Sequence, residues 1–337
     1  MTKIPIVPDY NLIAAEFALG RVLAVTPLAG GAPDVAKLTA TYGVFVVKPG
    51  RDRTSADLYA RVASVLNSAG IRQAVPRQTL TGSAISASGY TVQEFLPGRI
   101  CLDPAAAQIA VTMRHIAEYH EALKKLPPPV ALRVADSIWK QAASSEHLLR
   151  ELPGLLRDPR IWSGPDRAPE YLPVVETALG LLRGSLPVMD RLPRQLVHGD
   201  IGPDNVLMNG DRVVAIIDFT PHDEPFLFAL GSAVYWYHVH GNDHLDLDAV
   251  RASLCAAGAG RPWTELETAA WPVVLIREAL RRLATPLAVA GQAGTPADAT
   301  AVAARYRALR TVMRARPGLS ALVSQLPADS NHSKRTN

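Results

Sequence analysis

Three side chains suited to phosphate chemistry lie within one short stretch of the sequence, Leu196–Phe219. Asp200 is followed five residues later by Asn205, and Asp218 comes thirteen residues after that. Asn and Asp oxygens are hard ligands that suit Mg²⁺ together with water and phosphate. A second carboxylate nearby can accept a proton from a hydroxyl. A metal that neutralises phosphate charge and a base that orients a nucleophile are the requirements of phosphoryl transfer.

A turn signal in the same stretch predicts how these side chains come together. Asn209-Gly210 lies between two short apolar runs and favours a tight β-hairpin turn. Asn205 and Asp218 then lie at the outer ends of the two strands, and Asp200 lies on the loop just before the first strand. We therefore expect all three side chains at one end of the hairpin.

The first hundred residues have mostly the pattern of β-strands. The run Gly43–Pro49 is rich in valine, a β-branched residue, which is typical of a strand buried on both faces. Apolar residues between Ser55 and Ala69 follow helical spacing instead. The remaining predicted strands are Arg21–Ala29, Val35–Ala40, Ala74–Leu80 and Tyr90–Leu96.

After Gly98 the sequence becomes helical by pattern. Asp103 is the predicted N-cap of a long helix that has Pro104 at its first position, and helical periodicity returns over 170–186 and from Phe226 to about Leu322. Strands followed by helices indicate an α+β fold in two parts. We predict a β-rich N-terminal lobe over residues 1–97, a mostly helical C-terminal lobe over 98–323, and a polar, disordered tail over 324–337.

Composition excludes several classes of protein. The chain has 337 residues, 48% of them hydrophobic, and a net charge of +4 without a basic run that contains aromatics, so we expect no nucleic-acid partner. Its longest apolar stretch, Phe226–Val239, is shorter than the ~20 residues of a membrane span, and the N-terminus does not resemble a signal peptide. Cys101 and Cys255 are too few for a disulfide framework. We expect a soluble, cytoplasmic protein, and the sequence leaves its oligomeric state open.

The catalytic stretch resembles that of a known group of enzymes. The ordered set HGD at Asp200, then Asn205, then IDF at Asp218 is similar to the aminoglycoside phosphotransferase family, a kinase-like group that includes choline and homoserine kinases. The resemblance implies a two-lobed, protein-kinase-like fold with ATP or GTP as the phosphoryl donor. It also implies that Asp200 is the catalytic base and that Asn205 and Asp218 bind Mg²⁺.

The resemblance extends to the predicted nucleotide site. Lys48, at the end of a strand, is similar to the lysine that pairs with the α- and β-phosphates. The stretch VQEFLPG is similar to the hinge, where backbone groups of Glu94 and Leu96 would bind adenine. The stretch IAEYHEAL, residues 116–123, is similar to the helix behind that hinge.

Two parts of the nucleotide site depart from the family pattern. No Glu lies between Arg51 and Gln93, so Asp57 is the only acid on the predicted helix that could pair with Lys48. The phosphate-covering turn is reduced to Gly30 and Gly31, the two predicted phosphate-binding glycines.

The acceptor site is expected in the C-terminal lobe, near the loop after Asp218. The stretch Phe226–Tyr237 is apolar and aromatic, which favours an acceptor with a flat or apolar part. We predict phosphorylation of a hydroxyl on a small molecule, an antibiotic of the aminoglycoside or nucleoside type in a resistance or self-resistance role. Alternatives are a metabolite kinase acting on homoserine, choline or a sugar, and a nucleotide-binding scaffold without turnover. The candidate acceptor-site residues are Asp223, Glu224, Tyr235, Trp236, His238, Glu265, Trp271 and Glu278.

Other charged residues have structural interpretations. His198 is expected to brace the catalytic loop rather than react. The arginines Arg277, Arg281 and Arg282 are predicted to form a solvated helix face. The histidines and aspartates between His198 and Asp246 also allow a metal-hydrolase site, although the sequence contains no HExxH motif. They are His198, Asp200, His222, Asp223, His238, His240, His244 and Asp246.

Overall fold

The structure is a computed structural model that describes residues 8–28, 35–50, 53–126, 145–161, 168–261 and 263–323. The predicted phosphate turn at Gly30 and Gly31, and the predicted tail over 324–337, lie outside the described residues.

An antiparallel four-stranded sheet forms the N-terminal part of the protein. The strand order is β1-β2-β3-β4, and β3 carries Lys48 opposite Thr91 of β4. The side chain of Val47 is fully buried while that of Lys48 is not, because successive residues of a strand point to opposite faces. The strands are β1 Val22–Pro27, β2 Ala36–Ala40, β3 Gly43–Pro49 and β4 Tyr90–Glu94.

Two helices accompany this sheet. Helix α1, Tyr10–Glu16, begins at Asp9, whose carboxylate accepts hydrogen bonds from the amides of Asn11 and Leu12. Helix α2, Arg53–Ser68, confirms the predicted helical spacing. It buries Leu58, Val62 and Leu66 in the core that the later helices form, and this packing links the sheet to the rest of the molecule.

The predicted strand Ala74–Leu80 is wrong in extent. Only Pro76 forms a bridge, to Gln93, although the Arg77 amide also donates to the Val92 carbonyl at 2.8 Å. Pro76 has no N–H to donate, so a regular ladder cannot continue through it.

Short strands build the region that holds the catalytic stretch. Strands β7 and β8 form a hairpin. Strand β5, which follows Gly98, pairs with β7 at the edge of the same three-stranded sheet. Asn209 pairs with Arg212, so the two turn residues are Gly210 and Asp211, one position later than predicted. The strands are β5 Arg99–Ile100, β6 Arg194–His198, β7 Val206–Asn209, β8 Arg212–Ile216 and β9 Pro221–Pro225, of which β6 and β9 pair with each other.

Helices make up most of the C-terminal part. Long helix α8 lies at the centre of this layer and packs against α4, α5, α6 and α9. Trp271, Leu275 and Leu283 of α8 are fully buried there. The helices are α3 Ala106–Leu123, α4 Ser145–Arg157, α5 Leu172–Met189, α6 Phe226–Val234, α7 Leu247–Gly260, α8 Glu265–Ala293 and α9 Ala299–Val323, and a π-helical segment, Tyr235–Val239, follows α6.

The start of helix α3 differs from the sequence prediction. Helix α3 begins at Ala106, later than the predicted cap at Asp103, because the Gln108 side chain accepts the Ala105 amide at 3.0 Å and closes the first turn.

Within the described residues, only α5 is long and apolar enough to cross a membrane. One face of this helix buries Val175 and Leu179 among neighbouring helices.

The observed order of a β-rich part followed by a helical part confirms the α+β prediction. The exact boundary between residues 97 and 98 stays a prediction.

Candidate active site

Asp200 lies on a short loop that is closed by hydrogen bonds on both sides. The loop follows β6, which ends at His198. The Asp200 amide donates to His198 Nδ1 at 3.3 Å, and Asn205 Nδ2 donates to the Asp200 carbonyl at 2.9 Å. The second of these bonds connects Asp200 and Asn205 directly, although they are five positions apart in sequence.

His198 braces this loop, as predicted. It is fully buried, and because Nδ1 accepts the Asp200 amide, Nε2 carries the proton and donates to the Ile217 carbonyl at 3.0 Å. His120 of α3 continues the brace: its Nε2 accepts the His198 amide at 3.2 Å, and its Nδ1 donates to Ile116 at 2.7 Å. Burial lowers the pKa of both imidazoles, so both are neutral supports.

Gly199 has a packing role in the HGD motif. A Cβ at this position would overlap the ring of His222, which belongs to the neighbouring strand β9. The Gly199 amide also donates to the Thr220 carbonyl at 2.9 Å. Only glycine permits this close approach of the two strands beside Asp200.

The hairpin brings Asn205 and Asp218 together, as predicted. The Ile217 amide donates to the Asn205 carbonyl at 2.8 Å, so Asp218 emerges beside Asn205. Asp218 has φ of 55°, a left-handed conformation that Asp adopts more easily than most residues. Such strain often lies at functional sites, and the Asp218 side chain is 61% exposed.

Lys48 faces this cluster from the N-terminal sheet. Its Nζ lies 3.3 Å from Asp218 Oδ1 and 5.7 Å from the centroid of the Tyr59 ring. The structure does not bring Asp57 to Lys48: Asp57 is exposed on α2, and Tyr59 occupies the face of the helix nearest the lysine. Gln73 donates to the Tyr59 hydroxyl at 2.9 Å, and burial raises the pKa of that hydroxyl, so the ring beside Lys48 is neutral.

At the edge of the hinge stretch, two backbone groups have no hydrogen bond to any residue that the structure describes. Because the Phe95 amide donates to Val44, the carbonyl of Glu94 points away from β3. The Glu94 amide is used by the Val75 carbonyl at 3.3 Å, whereas no hydrogen bond to the Leu96 amide is found in the described parts of the chain. The carbonyl of Glu94 and the amide of Leu96 therefore form an acceptor–donor pair of the kind that the edge of a purine requires.

Asp200 is held from the helical side by two side chains. Arg282 Nη2 lies 2.8 Å from Asp200 Oδ1, and Trp236 Nε1 donates to the same oxygen at 3.3 Å. Among the described residues, no hydrogen bond reaches the second carboxylate oxygen, Oδ2. Burial raises the pKa of the Asp200 carboxyl, but the charge and hydrogen bond of Arg282 outweigh burial and hold the pKa below its ordinary value.

The arginines of α8 are buried, so their predicted position on a solvated face is wrong. Glu278 is 2% exposed and accepts from Arg281 at 2.7 Å and from Arg282 at 2.6 Å. Arg277 pairs with Glu224 of β9 at 2.6 Å. The charge pattern of α8 gave a wrong prediction of solvent exposure because α8 is the central helix of its layer. The acids that pair with the buried arginines compensate their charge.

The predicted acceptor residues divide into two groups. Trp236 contacts Asp200 directly, and Glu278 is one residue away through Arg282. Tyr235 is fully buried beside Trp236 with ring centroids 5.8 Å apart, and no described residue forms a hydrogen bond with its hydroxyl. Asp223 and Glu224 lie on β9 and pair with arginines.

The second group lies away from the cluster. His238 bonds to Ser253 of α7 at 2.8 Å, and Trp271 is buried in the core against Trp263. Glu265 is exposed in the first turn of α8. At 1.5 Å per residue it lies roughly 25 Å along the helix from Arg282. The structure thus brings none of these three side chains to Asp200.

The donor set at the hairpin end fits a hard divalent cation. Asn205 uses its Nδ2 for the Asp200 carbonyl, which leaves its side-chain oxygen available beside the exposed Asp218 carboxylate. One amide oxygen and one carboxylate, with phosphate oxygens and water, suit Mg²⁺. The described residues contain no group of three or more His, Cys, Asp or Glu that could hold a metal.

Comparison with known proteins gives a family match over most of the chain. The model of the phosphotransferase enzyme family matches residues 24–264. A homoserine kinase from Methylobacillus flagellatus is 45% identical over 93 residues, 27% of this chain and 29% of that protein. A homoserine kinase from Pseudomonas aeruginosa is 35% identical over 106 residues, 30% of this chain and 34% of that protein. These matches therefore span about a third or less of each relative.

Solved structures resemble the chain over nearly its full length. An aminoglycoside phosphotransferase from Alicyclobacillus acidocaldarius has a TM-score of 0.63 at 16% identity and covers 96% of this chain and 97% of its own. An amicoumacin kinase in complex with AMP-PNP and Ca²⁺ has a TM-score of 0.62 at 17% identity, covering 96% of both chains. At these identities the likeness concerns the fold alone, and it confirms the predicted two-lobed, protein-kinase-like fold.

Proposed function

Because this chain belongs to the phosphotransferase enzyme family, we propose that it is an ATP- or GTP-dependent O-phosphotransferase that phosphorylates a hydroxyl of a small molecule. The observation that carries the proposal is the cluster of Asp200, Asn205 and Asp218 at one hairpin end with Lys48 opposite. The family match confirms the resemblance seen in the sequence.

Asp200 would orient the acceptor hydroxyl and take its proton. Its Oδ1 is fixed by Arg282 and Trp236, so Oδ2 is the atom that would receive the hydroxyl hydrogen bond. Since its pKa lies below the ordinary value, the carboxyl stays ionised at physiological pH and would act mainly by orienting the hydroxyl, with proton transfer late in the reaction.

Asn205 and Asp218 would hold a divalent metal, which neutralises phosphate charge when bound. Lys48 would leave Asp218 for the phosphates of the nucleotide, and the Glu94 carbonyl and the Leu96 amide would receive the base. Most of the rate enhancement would come from positioning and from charge neutralisation rather than from a covalent intermediate.

For the acceptor, we place a small metabolite before a polycationic antibiotic. The groups around Asp200 include buried arginines that oppose a ligand carrying several amines. The similarity to homoserine kinases supports the metabolite kinase alternative. A nucleoside-type antibiotic remains a candidate because Trp236 presents an aromatic ring beside the carboxylate.

A screen of hydroxylated acceptors with ATP and GTP in parallel tests the proposal. We expect a mass gain of one phosphoryl group on an acceptor and ADP or GDP release that requires Mg²⁺. Asp200→Asn should lower kcat by several powers of ten with little change in nucleotide affinity. Nucleotide binding without turnover of any acceptor would favour the scaffold alternative, and undiminished turnover by Asp200→Asn would refute the role of Asp200.

We also propose a cytoplasmic location. Cys101 and Cys255 are both free thiols, which fits a reducing compartment that supplies nucleoside triphosphates.

A further inference from the structure

On the helical side of Asp200, four arginines and three acids carry one more positive than negative charge. Two of the arginines are committed to acids and to backbone: Arg282 contacts Asp200, Glu278 and Ser232, and Arg281 contacts Glu278 and the Gly199 carbonyl. Arg277 is likewise held by Glu224. The cluster comprises the carboxylates of Asp200, Glu224 and Glu278 and the guanidinium groups of Arg277, Arg281, Arg282 and Arg305.

Arg305 supplies the surplus charge. It lies on α9 between the buried residues Val302 and Leu309, one helical turn from each, so it is on the face that packs against α8 and the Tyr235–Val239 segment. Across the parts of the chain that the structure describes, no hydrogen bond or ion pair to Arg305 is found. A partly buried guanidinium without an acid is costly unless a ligand supplies the negative charge.

The packing of α9 against α8 and against the Tyr235–Val239 segment places Arg305 beside this cluster. Burial lowers its pKa, and the nearby Arg282 and Arg281 lower it further, while Tyr235 and Asp200 act in the opposite direction. An anion beside Arg305 would relieve this repulsion.

A second unused polar group lies on the Tyr235–Val239 segment, which α9 contacts. Tyr235 is fully buried, and within the described ranges its hydroxyl has no hydrogen-bond partner. Its ring is next to Trp236, whose indole donates to Asp200 and lies under Arg282 at 4.5 Å. A buried hydroxyl with an unmet hydrogen bond is uncommon and calls for a partner.

We propose that Arg305 and the Tyr235 hydroxyl form a subsite for a carboxylate of the acceptor, so that the substrate is a hydroxylated carboxylic acid whose hydroxyl is directed to Asp200. The inference rests on the proposed phosphotransfer to a small hydroxylated molecule. It adds the chemical class of the acceptor and two specificity-determining residues.

The charge count selects a carboxylate over other groups. One surplus positive charge matches a ligand with a single negative charge. A phosphate group, which carries nearly two negative charges, would be repelled by the Asp200 carboxylate. A planar guanidinium binds a carboxylate through two parallel hydrogen bonds, and the tyrosine hydroxyl can donate a third. The same surplus disfavours polyamine acceptors.

Matched acceptor pairs test the subsite. The panel contains 4-hydroxybutyrate, L-homoserine, L-serine and D-glucuronate, each compared with the primary amide in which an uncharged carboxamide replaces the carboxylate. The amides of the two amino acids keep their ammonium charge, so 4-hydroxybutyrate and D-glucuronate give the comparison with a neutral amide. For each compound, kcat and KM are measured for ADP release with mass detection of the product. We expect the wild-type enzyme to prefer the acids at least tenfold in kcat/KM. Arg305→Met should raise KM for the acids about 10- to 100-fold without raising KM for the amides.

Further variants separate recognition from folding. Tyr235→Phe removes only an unpartnered hydroxyl, so we expect KM for the acids to rise about threefold to tenfold with no loss of thermal stability. Arg305→Lys keeps the charge and should keep part of the preference. Arg307→Met, an exposed arginine on the same helix, is the matched control and should behave as wild type.

Thermal melts with 4-hydroxybutyrate or its amide, in the presence of Mg²⁺ and AMP-PNP, give a readout independent of turnover. If 4-hydroxybutyrate stabilises the wild type and Arg307→Met but not Arg305→Met, the subsite is supported. This holds even if no acceptor is phosphorylated, because the lack of turnover would refute only the proposed function. Turnover without preference for acids, a preference retained in Arg305→Met, or neither binding nor turnover of any acid would overturn the subsite.

Discussion

Asp200 has one committed carboxylate oxygen and one available oxygen. Oδ1 accepts from Arg282 and Trp236, while the loop backbone is closed by His198 and Asn205. The carboxylate therefore has a defined orientation before any ligand arrives. Preorganisation of this kind lowers the cost of aligning a hydroxyl with a phosphate.

The residues of this cluster differ in how well the sequence alone predicts them. Asp200, Asn205 and Asp218 follow a fixed spacing, so their proximity could be predicted. Arg282 comes from a helix 82 residues later, and no spacing rule connects it to Asp200. A signal was present in the alternation of Glu278 with arginines in an otherwise apolar stretch, which is unusual for a solvated face.

Substitutions of Asp57 and of Asp218 are expected to differ in their effect on kcat/KM, because only Asp218 lies beside Lys48. Asp57 is exposed, so Asp57→Ala should change kcat/KM less than twofold. Asp218→Asn removes the carboxylate 3.3 Å from Lys48 and should lower kcat/KM at least a hundredfold. Steady-state kinetics at saturating Mg²⁺ measure both variants, and a large loss in Asp57→Ala would show that α2 supplies the lysine partner after all.

Gly199 should tolerate no side chain. Gly199→Ala would force Cβ into the His222 ring and should cost about 1–3 kcal/mol of unfolding free energy, with a loss of activity as the Asp200 loop shifts. Gly184→Ala in α5 meets no atom within 4 Å and is the control, expected to be neutral or stabilising. Urea titration compares the two, and equal stabilities would contradict the close approach.

At the scale of elements, strands β6–β9 position the chemistry and helix α8 supports it. The catalytic loop and Asp218 project from short strands, and Arg282 reaches them from α8. The hairpin and most strands could be predicted from turn residues and apolar runs. The strand predicted at Ala74–Leu80 was wrong in extent because Pro76 prevents a regular ladder of hydrogen bonds. A count of apolar residues does not take this effect of proline into account.

Helix α8 should depend strongly on Glu278. Glu278→Gln leaves Arg281 and Arg282 without their shared buried acid, so we expect a loss of about 3–5 kcal/mol in unfolding free energy. Glu265→Gln, at the exposed start of the same helix, should cost under about 1 kcal/mol. Chemical denaturation measures both, and a Glu278→Gln variant as stable as wild type would show that the arginines find other partners.

At the scale of the whole molecule, packing between lobes and helices holds the site together. Helix α2 joins the core of the later helices, so the sheet with Lys48 is attached to the region that carries Asp218. The two-part architecture was predictable because the sequence changes from strand to helix patterns near Gly98. Contacts between distant elements, such as α9 with the Asp200 cluster, depend on three-dimensional packing that local patterns do not encode.

The buried histidines predict a loss of stability in mild acid. Burial lowers the pKa of His115 to about 4, of His120 to about 3 and of His222 to about 4, against 6.5 in the unfolded chain. The unfolded state therefore binds more protons below pH 6.5, and unfolding should become easier by of order 1 kcal/mol per pH unit for each histidine down to about pH 4.

Carboxylates add a second decline at lower pH. Arg281 and Arg282 outweigh burial and lower the pKa of Glu278, and Arg277 does the same for Glu224, so their stabilisation is present above their ordinary pKa and is lost as pH falls below it. Denaturant midpoints at constant salt from pH 7 to pH 4 provide the measurement. A flat profile over that range would contradict neutral, buried histidines.

Calorimetric titration of AMP-PNP with and without Mg²⁺ tests the central claim most directly. We predict that Mg²⁺ strengthens nucleotide binding in the wild type and in Asp200→Asn, and that Asn205→Ala and Asp218→Asn each lose most of this effect. Asp211→Asn, at the exposed turn of the same hairpin, is the control and should match wild type. Equal nucleotide affinity with and without Mg²⁺, or a Mg²⁺ effect that survives both Asn205→Ala and Asp218→Asn, would contradict the assignment of these two side chains to the metal–nucleotide site.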